Sequence, residues 1–342
     1  MKDIARDLGV SVVTVSKVLR DHPDIGSATK ERVLQRVKEL NYTPNLMARG
    51  LVTGRTNLVA FVIPDLASSF FCEVAINLSI ELRKHGYFML ICWTEEDPEI
   101  QKKEIQRLLS LGIDAMIVAT SGDDISSFRL MESRNVPYVL LDRQVPQLKA
   151  PYVGVEDVLV GEMATQHLID IGCKRIAHIY GPEMSPGRQR LEGYKKALQR
   201  AGLPIKESMI VIPREGGPRG IQHGFEATQR LLALRPRIDA IFAFNDPQAI
   251  GAIEATLAAG RRVPQDVAII GCGDLPLGRT LHVPLSTVDQ NTKELGEKSA
   301  KAVLALLRKG DKAAPVRRQM LKPRLIVRQS SDRSASKKTL AG

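Results

Sequence analysis

The side chains that could do chemistry in this 342-residue chain fall at one kind of place, directly after short β-rich runs. They are Asp65 with Phe70 and Phe71, Thr94, Asp142 with Arg143, and Arg188 with Arg190. Further along come Arg214, Arg219, Asn245 with Asp246, Gly273 with Asp274, and Asp289 with Gln290. In an open parallel sheet ligands sit outside the carboxyl ends of the strands, so these positions are where binding or reaction would occur. Carboxylates, guanidinium groups and amides at such ends suit the hydrogen bonding of a small polar molecule. Catalysis would need more. There is no GxxxxGK[ST] phosphate loop, no GxGxxG after a strand, no GxSxG elbow and no HExxH. Asp142, Asp246 and Asp274 could form an acid–base pair, although their spacing does not demand it. His22, His85, His167, His178, His223 and His282 are dispersed. No catalytic residue, metal ligand or cofactor is assigned, and the chain is read as non-enzymatic.

Two kinds of pattern must position these groups. Lys2 to about Tyr42 holds no strand-like run but three helical patterns. In the first, Lys2 to Leu8, the apolar Ile4, Ala5 and Leu8 recur at helical spacing, and Gly9 can end the helix. Ser11 is a good N-cap for the second, Ser11 to Leu19, whose inward candidates are Val12, Val15, Val18 and Leu19. The third fits Ser27 to Leu40, with Val33, Leu34, Val37 and Leu40 inward. From Leu58 onward short β-rich runs alternate with amphipathic helices, the pattern of parallel βαβ units. Strands are expected at Leu58 to Ile63, Tyr87 to Trp93, Ala115 to Ala119 and Tyr138 to Leu141. After a loop the cycle restarts at Arg175 to Tyr180, Met209 to Ile212, Ala240 to Phe244 and Val267 to Ile270. Ser286 to Asp289, a helix at about Thr292 to Leu307 and a strand at Leu325 to Val327 would complete the sheets through several crossings. The fold class expected is a small all-α head followed by two doubly wound α/β lobes facing each other.

The net charge of +11 favours a polyanionic partner, and its placement is uneven. Residues 1–55 hold 10 basic and 6 acidic side chains, residues 308–342 hold 11 and 2, and the middle is close to neutral. No apolar run approaches the roughly 20 residues that cross a bilayer, and Lys2, Asp3, Arg6 and Asp7 are too charged for a signal peptide. A cytoplasmic location is expected. Cys72, Cys92, Cys173 and Cys272 form no CxxC pair and are read as reduced, mostly buried thiols.

The stretch MKDIARDLGVSVVTVSKVLRDHP, followed by SATKERVLQRVKELNYTPNLMARGL, closely resembles the DNA-binding head of lactose-repressor-like (LacI-family) bacterial transcription regulators. VIPDLASSFF, LLDRQVP, HIYGPEMSPGRQRLEGYKKAL, FAFNDPQAIGAIEA, VAIIGCGD and PLSTVDQNTKELGEKSAKAVLALL extend the likeness over about residues 1–328. The resemblance implies a helix-turn-helix domain at 1–44, a hinge at 45–56 and a periplasmic-binding-protein-like sensor at 57–328. Within the sensor the N-lobe is expected at about 57–155 and 286–315, and the C-lobe at about 156–285 and 316–328. Residues 329–342 are expected to form a disordered basic tail. The implied function is sequence-specific repression of transcription, tuned by a small effector that alters hinge order and operator affinity.

In a helix-turn-helix the second helix enters the major groove with its N-terminal residues on base edges. By the resemblance Val12 and Val13 choose the operator. Neither can hydrogen-bond through its side chain, so contact with thymine methyl groups is expected, supported by Ser16 and Lys17. Ser11, Thr14, Arg20, Thr29 and Lys30 are placed for phosphates, which fix register. Pro44 to Leu51 resembles the family's hinge helix, in which Asn45 would cap, Ala48 would allow close approach and Leu51 would wedge a central base step. Gly50 departs from that pattern and should make the hinge harder to order by about 1 kcal/mol.

For the effector, the resemblance points to Phe70, Phe71, Asp142, Arg190, Arg219, Asn245, Asp274 and Gln290. Gly273 stands where sugar and purine binders usually carry an aspartate, and Arg219 where they often carry an aromatic ring. Both changes favour an anion, so an acidic sugar or sugar phosphate is the expected effector. A homodimer is expected on a pseudo-palindromic operator, its face on the helices at Phe71 to Lys84 and Ile100 to Leu111, with Leu78 or Leu108 as exposed apolar positions. No leucine heptad follows residue 330, so a tail-mediated tetramer is not expected. A periplasmic-type binding protein would share the lobes, but the helical head and the charged start argue against it.

Overall fold

A computed structural model describes residues 1–19, 21–42, 54–212, 220–309 and 317–334. The chain divides into two compact units, Met1–Thr56 and Asn57–Gly342.

In the first unit, α1 (Lys2–Leu8), α2 (Val12–Leu19) and α3 (Ser27–Glu39) surround a core of Ile4, Ala5, Val15, Val18 and Val33. Gly9 closes α1 with φ +64°, a left-handed conformation that glycine adopts without steric cost. Ser11 caps α2: its hydroxyl accepts the Thr14 amide at 3.0 Å. Three expected inward residues are not inside, since Val12, Leu34 and Leu40 are exposed. A three-helix domain this small has room for few side chains from each helix, and Val15, Val18 and Val33 fill it. Ion pairs fasten the surface, with Arg36 bridging α3 to Asp7 of α1 at 2.5 Å and Lys17 reaching Asp24 at 2.5 Å.

The second unit contains two six-stranded sheets. The first has the order β11-β5-β4-β3-β1-β2, built from β1 (Leu58–Ile63), β2 (Phe88–Trp93), β3 (Ala115–Val118), β4 (Tyr138–Leu141), β5 (Tyr152–Val155) and β11 (Arg318–Leu321). The second has the order β12-β10-β9-β8-β6-β7, built from β6 (Ile176–Ile179), β7 (Ile210–Val211), β8 (Ala240–Ala243), β9 (Ala268–Cys272), β10 (Ser286–Asp289) and β12 (Arg324–Ile326). Among the described residues all pairings are parallel except β10 with β12. The inner strands are buried on both faces, as the apolar runs of parallel sheets require.

Helices cover both sheets. On the first lobe lie α4 (Ser69–Lys84), α5 (Pro98–Ser110), α6 (Ser126–Ser133) and α12 (Thr292–Lys309). On the second lie α7 (Asp157–Asp170), α8 (Ser185–Arg200), α9 (Gly220–Leu232), α10 (Asp246–Ala258) and the short α11 (Pro276–Thr280). Two helix pairs cross at backbone contact. A Cβ on Gly193 of α8 would lie 2.0 Å from the Val158 carbonyl oxygen of α7, and one on Gly251 of α10 1.9 Å from that of Ile221 of α9. One continuous core joins Val59, Phe61 and Leu78 of the first lobe to Val160, Tyr194 and Phe242 of the second.

The strand assignments of the two lobes differ from the expected division. Ser286–Asp289 belongs to the second sheet, not the first, while Arg318–Leu321 belongs to the first, not the second. The crossings therefore follow β5, β10 and β11. Residues 329–334 are also not a tail. Ser330 and Ser331 are fully buried, and the Ser330 hydroxyl donates to the Ile269 carbonyl at 2.6 Å and accepts the Ser286 amide at 2.8 Å. His167 Nε2 and the Ser331 hydroxyl are hydrogen-bonded at 2.6 Å, and Arg333 donates to the carbonyls of Pro264 and Asp239. A polar run reads as solvated in sequence, but here its hydroxyls satisfy buried backbone groups of the second sheet. Residues 335–342 lie outside the described residues.

Candidate functional site

On the head, the capped first turn of α2 presents Val12 and Val13 to solvent, 39% and 63% exposed, while Val15 and Val18 of the same helix are buried. Neither valine belongs to the core of the head, so both side chains are free for an outside contact. Ser11 is exposed, and Thr14, Ser16 and Lys17 are half-buried on the same helix. Thr29 and Lys30 open α3, and Lys30 pairs with Asp21. These side chains form an apolar pair flanked by hydroxyls and cations. Arg20, Asn45, Ala48 and Leu51 lie outside the described residues, as does most of the hinge.

In the sensor, the carboxyl ends of the strands carry the predicted groups. Arg190 of α8 and Asp157 at the start of α7 form an ion pair at 2.8 Å, their side chains only 3% and 1% exposed. The Arg190 guanidinium also donates to the Phe244 carbonyl at 2.8 Å and lies over the Phe244 ring, 4.5 Å from its centre. Asp142, which follows β4, is buried close enough to both to feel their charges. Burial, reinforced by the charge of Asp157, pushes its carboxyl up to about 6, against the pull of Arg190 and Arg143. Its backbone is left-handed, with φ +62°, and its carbonyl accepts the Tyr152 hydroxyl at 2.9 Å. That hydroxyl folds back over Gly154, where a Cβ would sit 1.9 Å from it, so the glycine is what admits the bond. Beside the pair is a recess of about 540 Å³, lined by Gln144 and Arg318 from one lobe and by Glu156, Asp157 and Gln189 from the other.

The other predicted residues are placed less uniformly. Asn245 caps α10, its side-chain oxygen accepting the Gln248 amide at 3.0 Å. Asp274 is held by Arg328 at 2.5 Å and Arg279 at 2.7 Å, so both of its oxygens are engaged. Gln290 is buried after β10. Phe71 belongs to the core, and Phe70 packs edge-on against it with ring centres 5.1 Å apart. Arg219 lies outside the described residues. Three groups join the site from beyond the effector set that the resemblance gives, although Arg143 and Asp246 are among the strand-end side chains picked out from the sequence. Asp157 follows β5, a strand whose Gly-interrupted YVGV run hides it in the sequence. Asp246 is buried under the Thr287 hydroxyl and the Leu275 amide, and burial pushes it up to about 6. Arg143, adjacent to Asp142, is buried beside Glu96.

A carboxyl held above its ordinary value near 4 binds its proton more tightly in the folded protein. The stability it contributes is complete below about pH 4 and is lost as pH rises through 6. Asp142→Asn, which retains a residue tolerant of left-handed backbone, is therefore expected to flatten this decline. Urea titrations should show the wild-type sensor losing up to about 3 kcal/mol more than the variant between pH 4 and pH 7; equal losses would contradict the assignment.

Among the described residues no group of three His, Cys, Asp or Glu side chains is placed to hold a metal ion, and no helix is long and apolar enough to cross a membrane. The four cysteines are free, with Cys72 exposed and the others buried.

Comparison with known proteins identifies both parts. Residues 1–45 match the model for bacterial regulatory proteins of the lacI family, and residues 165–331 match that for the periplasmic binding protein-like domain. The ribose operon repressor of Halalkalibacterium halodurans is 33% identical over 332 residues, 97% of this chain and 96% of that protein. A solved complex of the transcriptional regulator CelR with cellobiose aligns with a TM-score of 0.74 at 29% identity, covering 96% of this chain and 98% of that one. The lac repressor dimer bound to operator and the anti-inducer ONPF aligns with a TM-score of 0.82 at 25% identity, covering 96% and 98%. With exposed α2 valines on a capped helix and a two-lobed sensor following in the sequence, the chain belongs to the lacI family of bacterial regulatory proteins and is a DNA-binding transcription regulator.

Proposed function

We propose that the protein is a dimeric, cytoplasmic repressor that reads a pseudo-palindromic operator and is released from it, or held on it, by a small hydroxylated effector between its lobes. The observation that carries the DNA half is the exposed pair Val12 and Val13 on the first turn of α2, with Ser11, Thr14, Ser16, Lys17, Arg20, Thr29 and Lys30 as the flanking contacts. Asn45, Ala48 and Leu51 complete the proposal as hinge residues. For the effector, Asp142, Arg190, Asn245, Asp274 and Gln290 supply the polar groups and Phe70 the apolar wall, with Phe71, a core residue, backing it rather than facing the ligand. The names of the relatives, a ribose operon repressor and a regulator bound to cellobiose, support a sugar.

Arg190 is already compensated by Asp157, and Arg219 lies outside the described residues. A neutral sugar that adds hydroxyls to the existing ion pair is thus the reading the described residues support, in preference to an acidic sugar or sugar phosphate, which would have to displace Asp157. Calorimetry of the full chain against matched neutral, acidic and phosphorylated sugars, with and without operator, tests this. A neutral sugar should bind, and operator and sugar should change each other's affinity by the same factor. Binding confined to acids or phosphates would reverse the class.

The dimer face is proposed on α4 and the edge strand β2. Leu78 and Leu108 are buried, so they cannot serve; the exposed apolar residues are instead Ile76 and Ile80 of α4 and Phe88, Ile91 and Trp93 of β2. Ile76→Asp with Ile80→Asp is expected to convert the dimer to monomer in sedimentation experiments at micromolar concentration and to weaken operator binding about a hundredfold or more, because two heads would no longer be linked. A dimer of unchanged stability would move the face elsewhere.

A further inference from the structure

Arg143 follows β4, and its side chain is 5% exposed, yet the carboxylate that neutralises it is 43% exposed. That carboxylate belongs to Glu96, beyond the end of β2, and it accepts two bonds, from Nη1 at 2.6 Å and Nη2 at 2.7 Å. Arg143 Nη1 also donates to the Thr120 carbonyl after β3 at 2.9 Å. The ends of β4, β3 and β2 therefore converge on one guanidinium, and Asp65, beyond the end of the intervening β1, is near enough to feel both charges. Glu96 is placed by an unfavourable backbone: both Glu95 and Glu96 are left-handed, with φ +55° and +58°, where a glycine would cost nothing. The loop is nonetheless held, since the Glu96 amide donates to the Pro64 carbonyl at 3.0 Å and the Thr94 hydroxyl is bonded to that of Ser121. A paired, two-pronged bond to a planar carboxylate is the geometry in which arginine binds an acidic ligand.

We infer that Glu96 is the residue that sets the charge selectivity of the effector cleft, occupying the donors of Arg143 so that the cleft favours neutral hydroxylated ligands over acidic ones. This rests on the effector-sensing reading above. The ordinary structural role of an arginine–carboxylate pair is to fasten two loops. Here it leaves the carboxylate in solvent and the arginine inside, so the pair opens toward water and a ligand acid can take the place of Glu96. Removing the Glu96 charge frees a buried cation at the strand ends and raises affinity for acids selectively.

The test is calorimetry of the full-length protein and of two variants, Glu96→Gln and Glu96→Gly, against matched pairs such as glucose with glucuronate and ribose with ribose 5-phosphate. The glycine variant suits the left-handed backbone, and the glutamine variant keeps a hydrogen-bonding partner for Arg143. Wild type should bind the neutral member of a pair and discriminate against its acid. Each variant should shift the acid-to-neutral affinity ratio toward the acid by about tenfold or more, with the neutral affinity changed less than about threefold. A ratio unchanged in both variants, while wild type binds the neutral sugar, overturns the role of Glu96 and leaves the sensing reading standing. Failure of every protein to bind any of these sugars overturns the sensing reading and this inference together.

Discussion

Arg190→Ala should lower the unfolding free energy of the sensor by about 3–5 kcal/mol and abolish its response to effector. The first effect follows from what remains behind. Asp157 is almost wholly buried and already held above the usual carboxylate range by burial; without Arg190 it must either hold an unpaired charge or take up a proton, and both are costlier than losing an exposed pair. The bond to the Phe244 carbonyl and the stacking on its ring would be lost as well. The two effects can be separated, because a buried ion pair replaced as a unit by apolar residues of similar volume is often tolerated. The double variant Arg190→Met, Asp157→Leu is expected to recover most of the stability, measured by urea titration, while remaining blind to sugar in calorimetry. If sugar binding returned with stability, Arg190 would be a structural residue only.

Exchanging the α2 valines should produce the second large effect, on specificity rather than stability. Val12 and Val13 contribute little to the packing of Val15, Val18 and Val33, as their exposure attests. Replacing them with Asn and Gln offers donors and acceptors where there were methyl groups. Each good base contact discriminates by about 1–3 kcal/mol, and a dimer makes every contact twice. The preference between the original and the newly selected operator should therefore invert by about a hundredfold or more, with the helical content of the head unchanged in circular dichroism. An identical preferred sequence for both proteins would remove the valines from base recognition.

Much of this arrangement is legible in the residues themselves. The spacing of Ile4, Ala5 and Leu8, the Gly9 stop and the Ser11 cap place the first two helices within a residue of their observed ends. The apolar runs at Leu58 to Ile63 and Tyr138 to Leu141, and the short Ser286 to Asp289 segment, are the strands themselves. What the pattern conceals has specific causes. Tyr152–Val155 and Arg318–Leu321 escape it because four-residue strands interrupted by glycine or carrying arginine lack a recognisable apolar run. Leu78 is inside rather than exposed because Phe71, Val74, Ala75, Leu78 and Leu82 form one inward stripe at helical spacing; the outward pair on that helix is Ile76 and Ile80. The partners of Arg190 and Arg143 have no signature in the sequence at all. Asp157 lies 33 residues from Arg190 and Glu96 lies 47 from Arg143, and only the packing of strand ends brings them together.

Sugar occupancy of the sensor and operator occupancy of the head are, in the proposed function, one coupled equilibrium. The most direct measurement is selection of the purified protein on a pool of random DNA duplexes, repeated in the presence of neutral sugars and of their acidic and phosphorylated counterparts. An enriched palindrome is expected, with its enrichment rising or falling by about fivefold or more in the presence of one neutral sugar. A palindrome whose enrichment is the same with every sugar, in a protein shown by calorimetry to bind one of them, would contradict it.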